Sequence, residues 1–193
     1  MKATTRVAFP GAEELIERID DAVARSDPRD VVHALRRSMC AMIRDSDVRL
    51  PDCVFEPHRE HYARRELYRS PSLGYSVIAM TWGPGQGTPI HDHSGMWCVE
   101  GVWAGEIEVV QYELREQSGD RFQFESVGGM QAGPGSAGSL IPPHEYHTIA
   151  NPSADAIAVS VHVYRAEMTQ CNVFRRVDGD WYERSPRRLG LDH

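Results

Sequence analysis

Nine histidines stand among the 193 residues, and three of them are spaced to share a metal ion. His91 and His93 form an HxH pair directly after the Gly- and Pro-rich stretch 83–89. On a strand, residues i and i+2 point to one face, so both imidazoles can reach one ion. His147 follows in PPHEYHTIAN, which reads as a turn into another strand. Three imidazoles on two neighbouring strands make a facial site with open positions. Taken alone, the HxH pair also fits two surface histidines beside a turn. A second group lies in Ser160-Val161-His162-Val163-Tyr164. Strand alternation puts Ser160, His162 and Tyr164 on one face of an otherwise apolar strand, the pattern of a polar cavity wall. A satisfied interior histidine fits His162 as well.

The four cysteines, Cys40, Cys53, Cys98 and Cys171, are far apart and form no CxxC pair, which excludes a zinc ribbon. The opening MKATTRVAFPGAEEL has no apolar core of the kind a secretory leader needs, so reduced thiols in a soluble cytoplasmic protein are expected. Cys40 and Cys53 read as plain thiols. No apolar run is long enough for a membrane span. Acidic residues outnumber basic ones 28 to 21, a net charge of −7 that argues against a nucleic-acid partner. The expected partner is a small molecule, and the expected state a monomer or small homo-oligomer.

The elements that must position these groups are legible as two kinds. Leu15, Ile16, Ile19 and Val23 recur at helical spacing after Gly11. Pro28 suits the first turn of a second helix, which Val31, Val32, Leu35, Met39, Met42 and Ile43 continue to about Asp45. From Gly74 the pattern turns to strands over 75–82, 107–114, 121–127, 156–164 and 172–177, with Asp178-Gly179-Asp180 as a hairpin turn into Trp181 and Tyr182. Short strands at turn-spaced intervals with almost no helix between them predict an antiparallel sandwich or barrel. The expected architecture is mainly β and one domain over 1–193. A helical extension covers 1–50, a core barrel about 74–165, and a C-terminal hairpin and tail 166–193.

Gly85, then five residues, then His91-Asp92-His93, with Gly105 on schedule, is similar to the first cupin motif. Pro142, His147 and Asn151 are similar to the second, with His144 where glycine is frequent. The resemblance implies a cupin jelly-roll. The motif's glutamate position holds Cys98. Two histidines and a carboxylate leave a ferrous ion with charge plus one, whereas three neutral imidazoles leave plus two. The second site accepts an anionic thiolate without accumulating negative charge, and metal binding deprotonates the thiol. Cys98 as a ligand is the alternative.

WGPGQGTPIHDHSGMWC, AVSVHVY and CNVF together resemble the thiol dioxygenases, cysteine dioxygenase above all. That resemblance implies Fe(II) on His91, His93 and His147, with O2 as cosubstrate and a sulfinic acid as product. It implies a Cys98–Tyr164 thioether, with Ser160 and His162 holding the Tyr164 hydroxyl. It implies Arg64 and Tyr62 on the substrate, Arg64 pairing with its carboxylate, and Cys171 near the pocket mouth. Arg64 sits in the charged stretch from His58 to Arg69, which by itself reads as a solvated face. Trp97 and the Trp-Gly-Pro-Gly-Gln loop look more like the mercaptopropionate branch, which has glutamine at Arg64 and glycine at Cys98. Arg165-Ala166-Glu167 departs from the usual Ser-Pro-Pro, and Arg165 is expected to add a cation near the pocket. Trp82, Trp97 and Trp103 read as packing, and Asp92 as structural. The reading is an iron-dependent dioxygenase of cysteine. The alternatives are a dioxygenase of 3-mercaptopropionate or another carboxylated thiol, a non-catalytic small-ligand cupin, and a metal-dependent sugar isomerase.

Overall fold

A computed structural model describes residues 7–192. Residues 1–6, on which part of the no-leader reading rests, and residue 193 lie outside the described residues. Helix α1 spans Ala12–Val23 and α2 spans Pro28–Asp45. Asp27 caps α2 by accepting the Arg29 N–H at 2.7 Å, and Pro28 occupies the first turn as the sequence predicts. A 3₁₀ turn, Asp52–Phe55, leads into the sheet. No helix among the described residues is long and apolar enough to cross a membrane.

Eleven strands follow in the described residues: β1 Ala63–Arg69, β2 Ser76–Trp82, β3 Ile90–His91, β4 Cys98–Ala104, β5 Ile107–Ser118, β6 Arg121–Ala132, β7 Ala137–Leu140, β8 His147–Ala150, β9 Ala158–Tyr164, β10 Gln170–Asp178 and β11 Trp181–Arg188. They form a five-stranded sheet in the order β1-β2-β9-β4-β7 and a six-stranded set, β10-β11-β6-β5-β8-β3, that closes on itself. Every recorded strand pair is antiparallel. The fold is the cupin jelly-roll that the sequence predicts.

Strand β9 lies inside the five-stranded sheet and is buried along its whole length. Its apolar residues Val159, Val161 and Val163 pack with Val77, Ala79 and Val99 against Leu15, Ile19, Leu35 and Met39 of the helices. Each fully buried Leu or Ile there contributes about 1.5–3 kcal/mol. The alternate residues, Ser160, His162 and Tyr164, turn the other way. This is why the helices need no core of their own.

The structure corrects several sequence expectations. Strand pairing begins at Ala63, before Gly74, because the charges of β1 find partners. Arg69 pairs with Glu66 at 2.6 Å and with Glu167 at 2.7 Å, and Arg65 donates to Thr81 Oγ1 at 3.3 Å. The stretch from Ala63 to Arg69 is therefore largely buried rather than a solvated face. Strand β6 runs on through Gly128 and Gly129 because β5 continues opposite it. β10 pairs with β3 through Val173 and His91, so strands beyond residue 165 complete the closed set.

Gly105 turns β4 into β5 at φ +69°, and a Cβ there would lie 2.5 Å from the Ile157 carbonyl oxygen and 2.8 Å from Ala158 Cα. Gly105→Ala is expected to lower the unfolding free energy by about 1–3 kcal/mol, read from urea denaturation, because neither backbone neighbour can yield.

Candidate active site

His91 of β3 and His147 of β8 are directly paired across the ladder. β3 ends at His91, so His93 is carried by the turn that follows rather than by the strand the HxH spacing predicts. That turn is held by Asp92, whose Oδ1 accepts the Ser94 and Asn172 N–H groups and whose Oδ2 accepts from Asn172 Nδ2 at 2.7 Å. Asp92 thus orients His93 from outside. On the inside, the His93 N–H donates to Glu145 Oε2 at 2.7 Å. Each of His91, His93 and His147 offers one donor atom within 4.8 Å of the others.

The hydrogen bonds decide which nitrogens are free. His91 Nδ1 faces the Pro89 carbonyl and His147 Nδ1 faces the Glu145 carbonyl, each at 3.2 Å. A carbonyl only accepts, so both Nδ1 atoms carry the proton and both Nε2 atoms keep a lone pair. His93 Nδ1 is buried with no hydrogen-bond partner. Burial, with neighbouring histidines adding to it, lowers His91 to about 3 and holds His147 well below the usual imidazole range. Neutral imidazoles with free lone pairs are the form a metal needs, so this donor set fits a divalent transition metal with open positions.

The same cavity is lined by Tyr62, Arg64, Trp82, His162, Tyr164 and Cys171, and its free room is small, about 20 Å³. Tyr62 stacks on Trp82 with ring centroids 4.5 Å apart. Arg64 is 5% exposed; it donates from Nη1 to the Gly190 carbonyl at 2.9 Å and from Nη2 to the Met168 carbonyl at 3.4 Å, while its Nε has no partner. His162 sits between several groups. Its Nε2 is 2.7 Å from Ser160 Oγ, and its Nδ1 is 3.5 Å from the Tyr164 hydroxyl and 4.0 Å from Cys98 Sγ. Burial lowers His162 to about 3 and raises the Cys98 thiol and the Tyr164 phenol. Cys98 and Tyr164 are direct cross-strand partners of β4 and β9.

The structure brings His91, His93, His147, Tyr62, Arg64, His162, Tyr164 and Cys171 to one cavity, with Ser160 and Cys98 beside His162, and leaves Arg165 outside it. Trp82 does more than pack, since its Nε1–H donates to Ser160 Oγ at 2.9 Å. Arg165 is exposed and does not line the cavity; the cation beside Tyr62 is Arg187, 5.6 Å above the ring. Sequence reading misses Glu145 and Glu100. Glu100 stands two residues from Cys98 on β4, so strand alternation carries its signal, whereas Glu145 precedes β8 and has only its nearness to His147.

The family model described as cysteine dioxygenase type I matches residues 53–177. The chain belongs to that family. It is a thiol dioxygenase of the cupin superfamily. Among solved structures it is similar to a protein of Thermus thermophilus at 21% identity, covering 61% of this chain and 94% of that one, with a TM-score of 0.45. A cupin superfamily protein of Desulfitobacterium hafniense is 13% identical, covering 63% and 94%, with a TM-score of 0.42. A double-stranded β-helix protein of Klebsiella pneumoniae is 18% identical, covering 62% and 90%, also at 0.42.

His147 and His162, 1% and 3% exposed, are neutral when folded and protonate near the usual imidazole value when unfolded. The unfolded chain then binds more protons, so stability from these groups is complete above about pH 6.5 and is lost progressively as pH falls below it. Urea midpoints of metal-free protein are expected to drop between about pH 6.5 and pH 5. A flat midpoint over that range would contradict the neutral, buried assignment.

Proposed function

We propose that the protein is an Fe(II)-dependent cysteine dioxygenase that converts RSH and O2 into RSO2H, adding both oxygen atoms to sulfur. The observation that carries this reading is the meeting of a three-imidazole cluster with Arg64 and Tyr164 in one cavity. His91, His93 and His147 would hold the iron, which when bound supplies the centre where thiol and O2 react. The thiol itself supplies the electrons, so no organic cosubstrate is needed.

The residues of the chain bind and orient. A guanidinium has five N–H donors, and the two carbonyl contacts of Arg64 leave three, including the buried Nε. Those donors fit a carboxylate in the fork geometry that a buried arginine favours. Tyr164 presents its hydroxyl where negative charge develops on oxygen, and a donor already in place there lowers the barrier. His162 Nδ1 stands 3.5 Å from that hydroxyl, Ser160 fixes the His162 ring through Nε2, and Trp82 fixes Ser160 in turn.

One observation favours a second reading, 3-mercaptopropionate or another carboxylated thiol. No acidic side chain lines the histidine cavity among the described residues, so nothing there pairs with an ammonium group. Oxygen uptake by iron-loaded protein against cysteine, 3-mercaptopropionate and cysteamine separates the readings. Cysteine is expected to be turned over, and cysteamine, which lacks the carboxylate, poorly. Arg64→Ala is expected to cost on the order of 2–5 kcal/mol in kcat/KM for cysteine. Equal turnover of cysteine and cysteamine would remove Arg64 from the substrate. His147→Ala is expected to lose iron and activity together, and full iron occupancy in that variant would remove it from the ligand set.

The cross-strand pairing of Cys98 with Tyr164 supports a thioether between sulfur and ring. The S–H and a ring C–H bond break, an S–C bond forms, and O2 takes the two hydrogens. Intact mass after turnover is expected to be lower by two hydrogens in the parent protein and unchanged in Cys98→Ala. The bond fixes the phenol and spares its rotamer entropy, so its loss is expected to slow turnover modestly rather than abolish it.

A further inference from the structure

Glu100 is an acid without a hydrogen-bond partner for its Oε2. It lies two residues beyond Cys98 on β4, shares the inward face of that cysteine, and is the register partner of His162 on β9. It is 8% exposed. His162 Nδ1 lies 3.5 Å from that oxygen. On its other side Glu100 lines a cavity of about 200 Å³ whose walls include Val102, Ile107, Leu140 and Ile149. An ionised carboxylate left unpaired against such walls is costly, so the neighbouring imidazole must answer it.

The charged and titratable groups around Glu100 come from few elements. β9 contributes His162 and Tyr164, and β4 itself Cys98. α2 contributes Arg36 at the cavity wall, where its Nε donates to the Ala137 carbonyl at 3.2 Å. β5, β7 and β8 contribute the uncharged Gln111, Ser139 and Ile149.

The hydrogen-bond chain fixes the tautomer. Trp82 Nε1–H only donates, so Ser160 Oγ accepts from it and has one proton left to give. Ser160 donates that O–H to the Nε2 lone pair of His162, so the neutral imidazole carries its proton on Nδ1. We propose that Glu100 is the positioning residue of the His162–Tyr164 pair: its carboxylate accepts the His162 Nδ1–H, which turns the Tyr164 hydroxyl proton toward the three-histidine cavity. An Nδ1 that donates has no lone pair for Tyr164, whose oxygen lies 3.5 Å from the same nitrogen. Protonating Glu100 reverses this. The neutral carboxyl group no longer accepts from Nδ1, the imidazole takes the Nε2–H tautomer with Ser160 Oγ accepting, and the single Nδ1 lone pair takes the Tyr164 O–H, drawing its proton away from the cavity. Burial raises the Glu100 carboxyl to about 7, which sets the changeover close to neutral pH. This inference rests on the reading of Tyr164 as the donor in thiol oxidation.

The test compares kcat for cysteine from about pH 5.5 to 8.5 in parent, Glu100→Gln and Glu100→Asp proteins, all iron-loaded. The parent is expected to lose kcat below neutral pH. Glu100→Gln is expected to lack that acid limb and to run roughly 10-fold slower or more, with iron content unchanged and KM little moved. Glu100→Asp is expected to keep the limb at reduced kcat. An acid limb in Glu100→Gln that matches the parent overturns the proposal. Should Glu100→Gln fail to fold, NMR of isotope-labelled histidine in the zinc-loaded parent decides. There the His162 proton is expected on Nδ1 above neutral pH and on Nε2 below it, with His162→Gln assigning the signal. A tautomer that does not change across this range overturns the proposal. A tautomer change without thiol-dependent oxygen uptake would retain the Glu100–His162 coupling and overturn the dioxygenase reading instead.

Discussion

The site depends on the register of β9 between β2 and β4. That register sets Cys98 opposite Tyr164, Glu100 opposite His162 and Val102 opposite Ser160 on one side, and Met80 opposite Ser160 on the other. A slip of one residue would turn Ser160, His162 and Tyr164 into the helices and three valines into the cavity. The apolar face prevents it. Val159, Val161 and Val163 are fully buried under α1 and α2, so the hydrophobic contacts that hold the helices on the sheet are the same contacts that aim the polar face. The N-terminal helices thus act on the chemistry without touching it.

Burial on the other side of that strand has an electrostatic result. Imidazoles taken out of water stay neutral, and neutral imidazoles keep lone pairs for a metal. Backbone carbonyls of Pro89 and Glu145 then choose which nitrogen faces inward. The acids of the interior stand behind the histidines rather than among the cavity-lining groups: Glu145 on the His93 N–H, Glu100 beside His162. Glu145 thus holds the His93 backbone, and Glu100 Oε2 lies 3.5 Å from a His162 ring nitrogen.

Sequence patterns are most informative where one period dominates. Helical spacing locates both helices, Pro28 locates the start of the second, and the alternation of residues 159–164 locates the cavity wall. They are least informative where side chains satisfy one another at a distance. Ala63–Arg69 carries four charges in seven residues and reads as surface, yet Arg64 reaches carbonyls at Met168 and Gly190, and Arg69 reaches Glu167. None of those partners is near in sequence. β3 is two residues long and offers no period at all, so the chemistry of His91 and His93 marks the place better than any strand signal. Arg165 departs from its expected place for a related reason. It directly follows the buried Tyr164 and is itself exposed, and the cation over Tyr62 comes instead from Arg187 of β11, which is distant in sequence.

The position of Arg64 shows how far the site reaches into the rest of the chain. Its backbone is clamped to Asp192, whose Oδ2 accepts the Arg64 N–H at 2.8 Å and whose own N–H donates to the Arg64 carbonyl at 2.7 Å. Asp192 is also paired with His61 at 3.0 Å, and Leu189 is tied to the Thr169 carbonyl at 2.8 Å. The segment after β11 is therefore fastened to β1 at Arg64, with Leu189 at the cavity wall. The Gly190 and Met168 carbonyls hold the guanidinium plane while leaving its Nε free and buried. Orientation without saturation is what an anion-binding arginine requires: a fully bonded guanidinium would have no donor to offer, and an untethered one would give up entropy on binding. The setting of Arg64 is in this sense built by the last strand and the residues after it, while the histidine cluster and Tyr164 are placed by strands earlier in the chain.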